Sequence, residues 1–283
     1  MLRELERYYE DYCESIRQEA EKLRAQEMPE PTEDLFAIYE NTGNRLIYED
    51  IYFERRKFLA VFGLKAILDG EERDIQKLED ILEGICAEEC WALPAHVNRM
   101  TDENWRTYVD LFAAETAQTL AEIASLLGGR RVLAPFSASR PPYSHWEYGA
   151  SNWCAVCGGS VGSAAMYMLK DRPEELTAIL ERICHALETY YLKSFAEDGA
   201  CLEGLGYFTY GMTYFAGYAQ QLYEFTAGKR DLFRSEKLAR IAAFQAKCYF
   251  PSGRTVSFAD GSADERFRVG LTCYLAMKYP EAQ

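Results

Sequence analysis

Apolar residues recur every three or four positions along most of this chain, and that period restricts it to a helical fold. Leu176, Ile179, Leu180, Ile183, Leu187 and Tyr190 or Tyr191 form one stripe, as expected of a helix with one buried face. Pro173 stands where its first turn would start, and Gly199 lies just beyond its expected end. From Trp105 to Leu127 the pattern repeats through Tyr108, Leu111, Phe112, Leu120, Ile123, Ala124 and Leu127, then stops at Gly128-Gly129. The same reading predicts helices near 2–26, 33–69, 73–92, 152–170, 206–228, 233–249 and 264–278, with the second long enough to be two. No alternating strand pattern competes. Two stretches read as irregular: Gly128 to Gly149, with Pro135, Pro141 and Pro142, and PSGRTVSFADGSADER from Pro251 to Arg266.

Helices of about 15–25 residues with short connections suggest stacked antiparallel hairpins. These can close into an α/α toroid or stay open as a solenoid. No fixed repeat period is visible, which weighs against a regular solenoid. No linker splits the 283 residues, so residues 1–283 read as a single all-α domain. Its expected form is an incomplete (α/α)5–6 toroid, about five or six stacked hairpins.

The chain carries 31 Lys and Arg against 45 Asp and Glu, for a formal net charge of -14. No basic stripe stands out, which excludes a nucleic-acid binder, and the acidity argues against a membrane surface. No apolar run could span a bilayer, and the N-terminal MLRELERYYEDYCESIRQEAEKLRAQE lacks the apolar centre of a signal peptide. Nine cysteines, an odd number with several at core positions of helices, read as reduced thiols in a cytoplasm. Cys154 and Cys157 form a C-x-x-C without a second pair at zinc-ligand spacing, so no metal is expected. No other cofactor is expected.

Four segments are more specific than helix formation requires: ECWALPAH (89–96), DLFAAETAQTLA (110–121), SNWCAVCGGSVGSAA (151–165) and EDGACLEGLGYFTYGMTYF (197–215). With PSGRTVSFADGSADERF (251–267), in this order, they resemble the helical domain of the heparinase II/III-like polysaccharide lyases, a group that includes alginate and oligoalginate lyases. The resemblance covers most of residues 40–280. It implies β-elimination at a uronic acid: a base removes the C5 proton, and an acid protonates the departing oxygen at C4. The C5 proton becomes removable when the neighbouring carboxylate is neutralised by hydrogen bonds, which stabilises the enolate-like intermediate.

The resemblance implies that Asn152 meets that carboxylate. The small residues behind it, Cys154, Ala155, Gly158, Gly159 and Gly162, would let its helix pack closely. It also implies a tyrosine as acid, and in many members as base. A free phenol has a pKa of about 10, so a tyrosinate base needs a nearby cation or hydrogen bonds. Tyr210 is preferred because it directly precedes Gly211, and Tyr207, one turn earlier, stays open. Glu203 could orient a sugar hydroxyl or a cationic partner. His96, His145, Trp146 and Trp153 are further candidates for lining a sugar site, and Arg140 and Arg254 for meeting an acidic sugar.

Each of these residues has a plainer reading: Asn152 as a helix cap, either tyrosine as packing among 20, His185 as structural or exposed, and both arginines as solvated surface. In the resembled family a β-sandwich follows the toroid and supplies a catalytic histidine. This chain ends at MKYPEAQ with no β-rich stretch. The resemblance therefore implies a cleft lacking one wall and weak or no turnover by residues 1–283 alone. The partner expected is an acidic oligosaccharide or polysaccharide. The alternatives are a glycan-binding or interaction toroid without turnover, and a glycoside hydrolase on an α/α barrel. The last needs paired carboxylates, and no motif places Glu147, Asp198, Glu203 or Asp260 in that role.

Overall fold

The computed structural model describes residues 6–128 and 145–280. The protein is all-α. Among the described residues the only β-pairings are two isolated bridges, Phe195 with Cys201 and Tyr249 with Thr255. No described helix is long and apolar enough to cross a membrane. The chain forms two compact units, residues 1–142 and 143–283.

The first unit contains α1 (Glu10–Arg24), α2 (Glu33–Thr42), α3 (Leu46–Asp69), α4 (Glu72–Cys86) and α5 (Leu111–Leu127). The long 33–69 segment is two helices, because Gly43 takes a left-handed φ of 74° and ends α2. The helix expected over 73–92 stops at Cys86. Trp91 Nε1 donates to the Ile85 carbonyl at 2.9 Å, and Leu93, pushed extended by Pro94, turns into the core. Arg55 on α3 donates to the Gly84 carbonyl of α4 and Lys65 to Asp74, so these helices run antiparallel. Arg56 meets Thr116 of α5 and Gly63 meets Ile123, so α3 and α5 run parallel. Phe58, Phe62, Leu78, Ile81, Ile85 and Leu120 are buried between them.

The second unit repeats this arrangement with α6 (Asn152–Met168), α7 (Pro173–Thr189) and α8 (Leu205–Phe225), followed by α9 (Glu236–Lys247) and α10 (Val269–Lys278). Cys154 Sγ lies 3.5 Å from the Ala186 carbonyl, and Gly158 faces Ile183, so α7 returns antiparallel to α6. Along α6 and α8, Asn152 lies beside Gly211, Gly159 beside Tyr214, and Gly162 against the Tyr218 ring. Both sets of numbers rise together, so α6 and α8 are parallel neighbours. The small residues of α6 are what admit α8: at Gly159 the two backbones come closer than any side chain would permit.

Candidate functional site

The parallel pairing of α6 and α8 brings Asn152, Glu203 and Gly211 together at one end. Ser151 is the extended residue before α6, and Asn152 is the first helical residue. Asn152 is therefore not the cap, although its polar groups are engaged at the helix start. Its backbone N–H donates to Glu203 Oε2 at 2.7 Å, and its Nδ2 donates to Glu203 Oε1 at 2.9 Å. One carboxylate thus accepts two hydrogen bonds at a helix N-terminus, where the backbone dipoles favour negative charge. Glu203 can reach this position because Gly204, at φ 97°, turns the chain sharply into α8.

Asn152 is 3% exposed, and its Oδ1 is buried without a hydrogen-bond partner. Tyr191 lies nearby: a Cβ on Gly211 would stand 3.2 Å from Asn152 Cβ and 2.8 Å from Tyr191 Oη. The Tyr191 hydroxyl is likewise buried without a partner, and burial pushes its pKa well above the ordinary phenol value, so it is a neutral hydroxyl. Gly211 is required here because any side chain would strike both groups.

Tyr207 and Tyr210, three residues apart, leave α8 at neighbouring positions of its surface. Tyr207 lies one turn before Gly211, on the row that continues to Tyr214 and Tyr218 along α6, and it is 38% exposed. Tyr210 is half-buried and packs edge-on to Tyr214, with ring centroids 5.6 Å apart. It lines a groove of about 1080 Å³ formed with the 264–271 segment and Tyr274 of α10. The groove exists because α8 presents Gly206, Thr209, Thr213, Gly217 and Gln220 on that side. Such short and polar side chains do not fill the space between helices. Its volume is at the upper end for clefts that hold small ligands. Asn152 does not line it.

The other candidates are dispersed. Trp146 is buried and packs against Gly158, with its indole N–H unpartnered. Its ring covers the helix interior. Trp153 is half-buried. The neighbouring Glu147 is held by a bidentate ion pair from Arg182, with both contacts at 2.6 Å, and this anchors the short 3-10 turn before α6. Arg254 is exposed and 3.6 Å from Asp264. His185 is exposed and sits 3.3 Å from the Thr189 hydroxyl. The His145 side chain and Arg140 lie outside the described residues. Cys154 is buried, and burial pushes its thiol up to about 12. The described cysteines are free thiols, and no described cluster of His, Cys, Asp and Glu could hold a metal ion.

His96 belongs to the first unit. Its Nδ1 is 2.7 Å from Asp110 Oδ2, and its ring stacks on Phe112. Asp110 is fully buried and also accepts the N–H groups of Leu93 and Ala113. It therefore caps α5 and orients the imidazole with one side chain. Sequence reasoning found His96 and missed its carboxylate. The clue was present: Asp at the position before Leu111 is a strong helix start, and the same residue serves both roles. The chain matches no protein-family model and no curated protein.

Proposed function

We propose that the chain is the helical domain of a polysaccharide or oligosaccharide lyase that cleaves uronate-containing glycans by β-elimination, and that its hairpins belong to an α/α toroid. The toroid reading is supported by the repeated order in both units, in which a helix, an antiparallel return and a third helix parallel to the first recur. The observation that carries the functional reading is the seating of Asn152 Cβ against Gly211, the residue that follows Tyr210 and lies one turn after Tyr207 on α8. In this reading the Asn152 amide donates to the uronate carboxylate after its Nδ2 leaves Glu203. One phenol, as the phenolate, takes the C5 proton, the C4–O bond breaks with its electrons leaving on the oxygen, and the phenol so formed returns its proton to that oxygen. The C5–H electrons become the C4–C5 double bond.

That double bond is conjugated with the carboxylate and absorbs in the ultraviolet, so turnover can be followed directly. The test uses the full encoded polypeptide with a panel of alginate and glycosaminoglycan oligomers. Loss of a positioned acid or base costs about 10²–10⁴-fold. Tyr210→Phe or Tyr207→Phe should show a loss of this size, and Asn152→Ala one of about 10²–10³-fold. Unchanged rates in all three would end this reading.

One observation favours a second reading, an acidic-glycan-binding domain without turnover. Asn152 is 3% exposed and its amide nitrogen is already committed to Glu203. Binding of the same oligomers without any new ultraviolet absorbance would select it.

A further inference from the structure

In the second unit the arginines divide sharply by what they touch. Arg172, Arg182, Arg230, Arg234 and Arg254 each face a carboxylate, and Arg240 donates to the Glu197 carbonyl. Arg266 and Arg268 have no ion pair or side-chain hydrogen bond among the described residues, and both line the α8–α10 groove. The chain has 45 acidic residues to 31 basic ones. In such a chain an arginine finds a carboxylate easily, so two uncommitted guanidinium groups two residues apart on one wall of this groove are unlike the rest.

We propose that Arg266 and Arg268 form an anion subsite, and that it takes a second acidic substituent of the bound glycan, a carboxylate or a sulfate. This deepens the acidic-glycan reading and rests on it. A guanidinium presents a planar fork of donors that matches the paired oxygens of either group. The groove's other features suit a sugar chain. Tyr210 and Tyr274 supply ring surface, while Gly206 and Gly217 leave space along α8. A volume of about 1080 Å³ leaves room for more than one ring.

Two carboxylates share the lining and are already engaged. Asp264 faces Arg254 at 3.6 Å, and Glu265 Oε1 accepts the Ser262 N–H at 3.3 Å beside Gly206. Neither meets Arg266 or Arg268. Arg268 also immediately precedes α10, whose first-turn residues Val269, Gly270 and Leu271 complete that wall. The partial positive charge of a helix start adds to the arginines there.

The test measures binding by calorimetry, independently of turnover. Three hexasaccharides serve as probes: hyaluronan, with carboxylates only; chondroitin sulfate, with both groups; and neutral cellohexaose. The proteins are wild type, Arg266→Ala, Arg268→Ala, the double variant, and the double lysine variant. Both side chains are exposed and unpartnered, so the thermal midpoint should not move. Each alanine should weaken acidic-probe binding by about tenfold, the double variant by more, and raising salt should then matter less. The lysine variant should fall between, because it keeps charge and loses the fork. Equal losses for both acidic probes identify the anion as a carboxylate, and a loss confined to chondroitin sulfate identifies it as a sulfate. The subsite is refuted if the double variant binds the acidic probes within about twofold of wild type. It is also refuted if cellohexaose binding falls equally, or if wild type binds neither acidic probe. Arginine-dependent binding without elimination would refute the lyase reading and leave the subsite standing.

Discussion

Gly159 of α6 lies so close to Tyr214 of α8 that a methyl group on it would stand 2.9 Å from the Tyr214 carbonyl oxygen. The neighbour is backbone within a helix, so it cannot swing aside. Gly159→Ala should therefore destabilise the protein, because overpacking of about 1–3 kcal/mol outweighs a helix-propensity gain of about 1 kcal/mol. Gly217→Ala, on the open side of α8 with nothing within 4 Å, should instead stabilise by about 0.4–1 kcal/mol. Urea unfolding of the two variants checks this, and equal midpoints would contradict the close approach.

The Asn152–Glu203 pair predicts an unusual response to a nearly isosteric change. Asn152→Asp replaces an amide donor 2.9 Å from a carboxylate oxygen with a second carboxylate. Two such groups cannot both be charged at that distance, so one holds a proton and its folded pKa rises above the unfolded value. The folded state then binds more protons, and the variant should gain stability as pH falls from 7 toward 5. The measurement is the urea midpoint across that range. A variant whose stability tracks wild type at every pH would mean that the carboxylates do not face each other.

In the first unit Glu88 is buried and bridges two arginines. Arg55 donates to it at 2.6 Å, and Arg56 makes two contacts at 2.7 Å while stacking over Tyr52. Glu88→Gln removes the charge and leaves two partly buried cations without it. The cost should be about 3–5 kcal/mol, whereas replacing all three residues with apolar ones should cost less. Chemical unfolding separates these outcomes, and a Glu88→Gln effect under about 1 kcal/mol would place the pair in the solvent-screened class.

Much of the helical content was legible in the sequence, because a 3.6-residue period depends on local spacing alone. The Leu176–Leu187 stripe is the buried face of α7. The end of α4 was not legible, since it is set by Trp91 reaching back to Ile85 and by Pro94 acting on Leu93. Helix pairing was equally hidden. The small residues of α6 announced a close neighbour, but nothing in their spacing named α8 or its parallel direction. Asn152 could be singled out from its motif, yet its partner Glu203 lies 51 residues away and reaches it only through the turn at Gly204. Arg266 and Arg268 drew no notice because an isolated Arg-x-Arg is ordinary. They stand out only when every other arginine of their unit has a partner.

The cluster around Asp69 predicts the acid limb of stability in the first unit. Arg17 donates to both Asp69 oxygens, with contacts of 2.8 to 3.2 Å, and Lys65 donates at 2.5 Å. The Arg17 hydrogen bonds, with help from Lys65, hold the Asp69 carboxyl below its ordinary value of 3.8. A depressed folded pKa means that the unfolded chain binds the proton more readily. The stabilisation is therefore fully present above the ordinary value and is lost as pH falls through the folded value. Asp74, facing Lys65 at 3.0 Å and also Arg24, is shifted in the same direction. Wild type should lose stability steeply below about pH 4. Asp69→Asn should be less stable at pH 7, because Arg17 and Lys65 lose a charged partner, and its midpoint should fall less steeply below pH 4. Helical circular dichroism followed in urea at each pH reads both effects. An unchanged acid slope in Asp69→Asn would show that this carboxylate has the same proton affinity folded and unfolded.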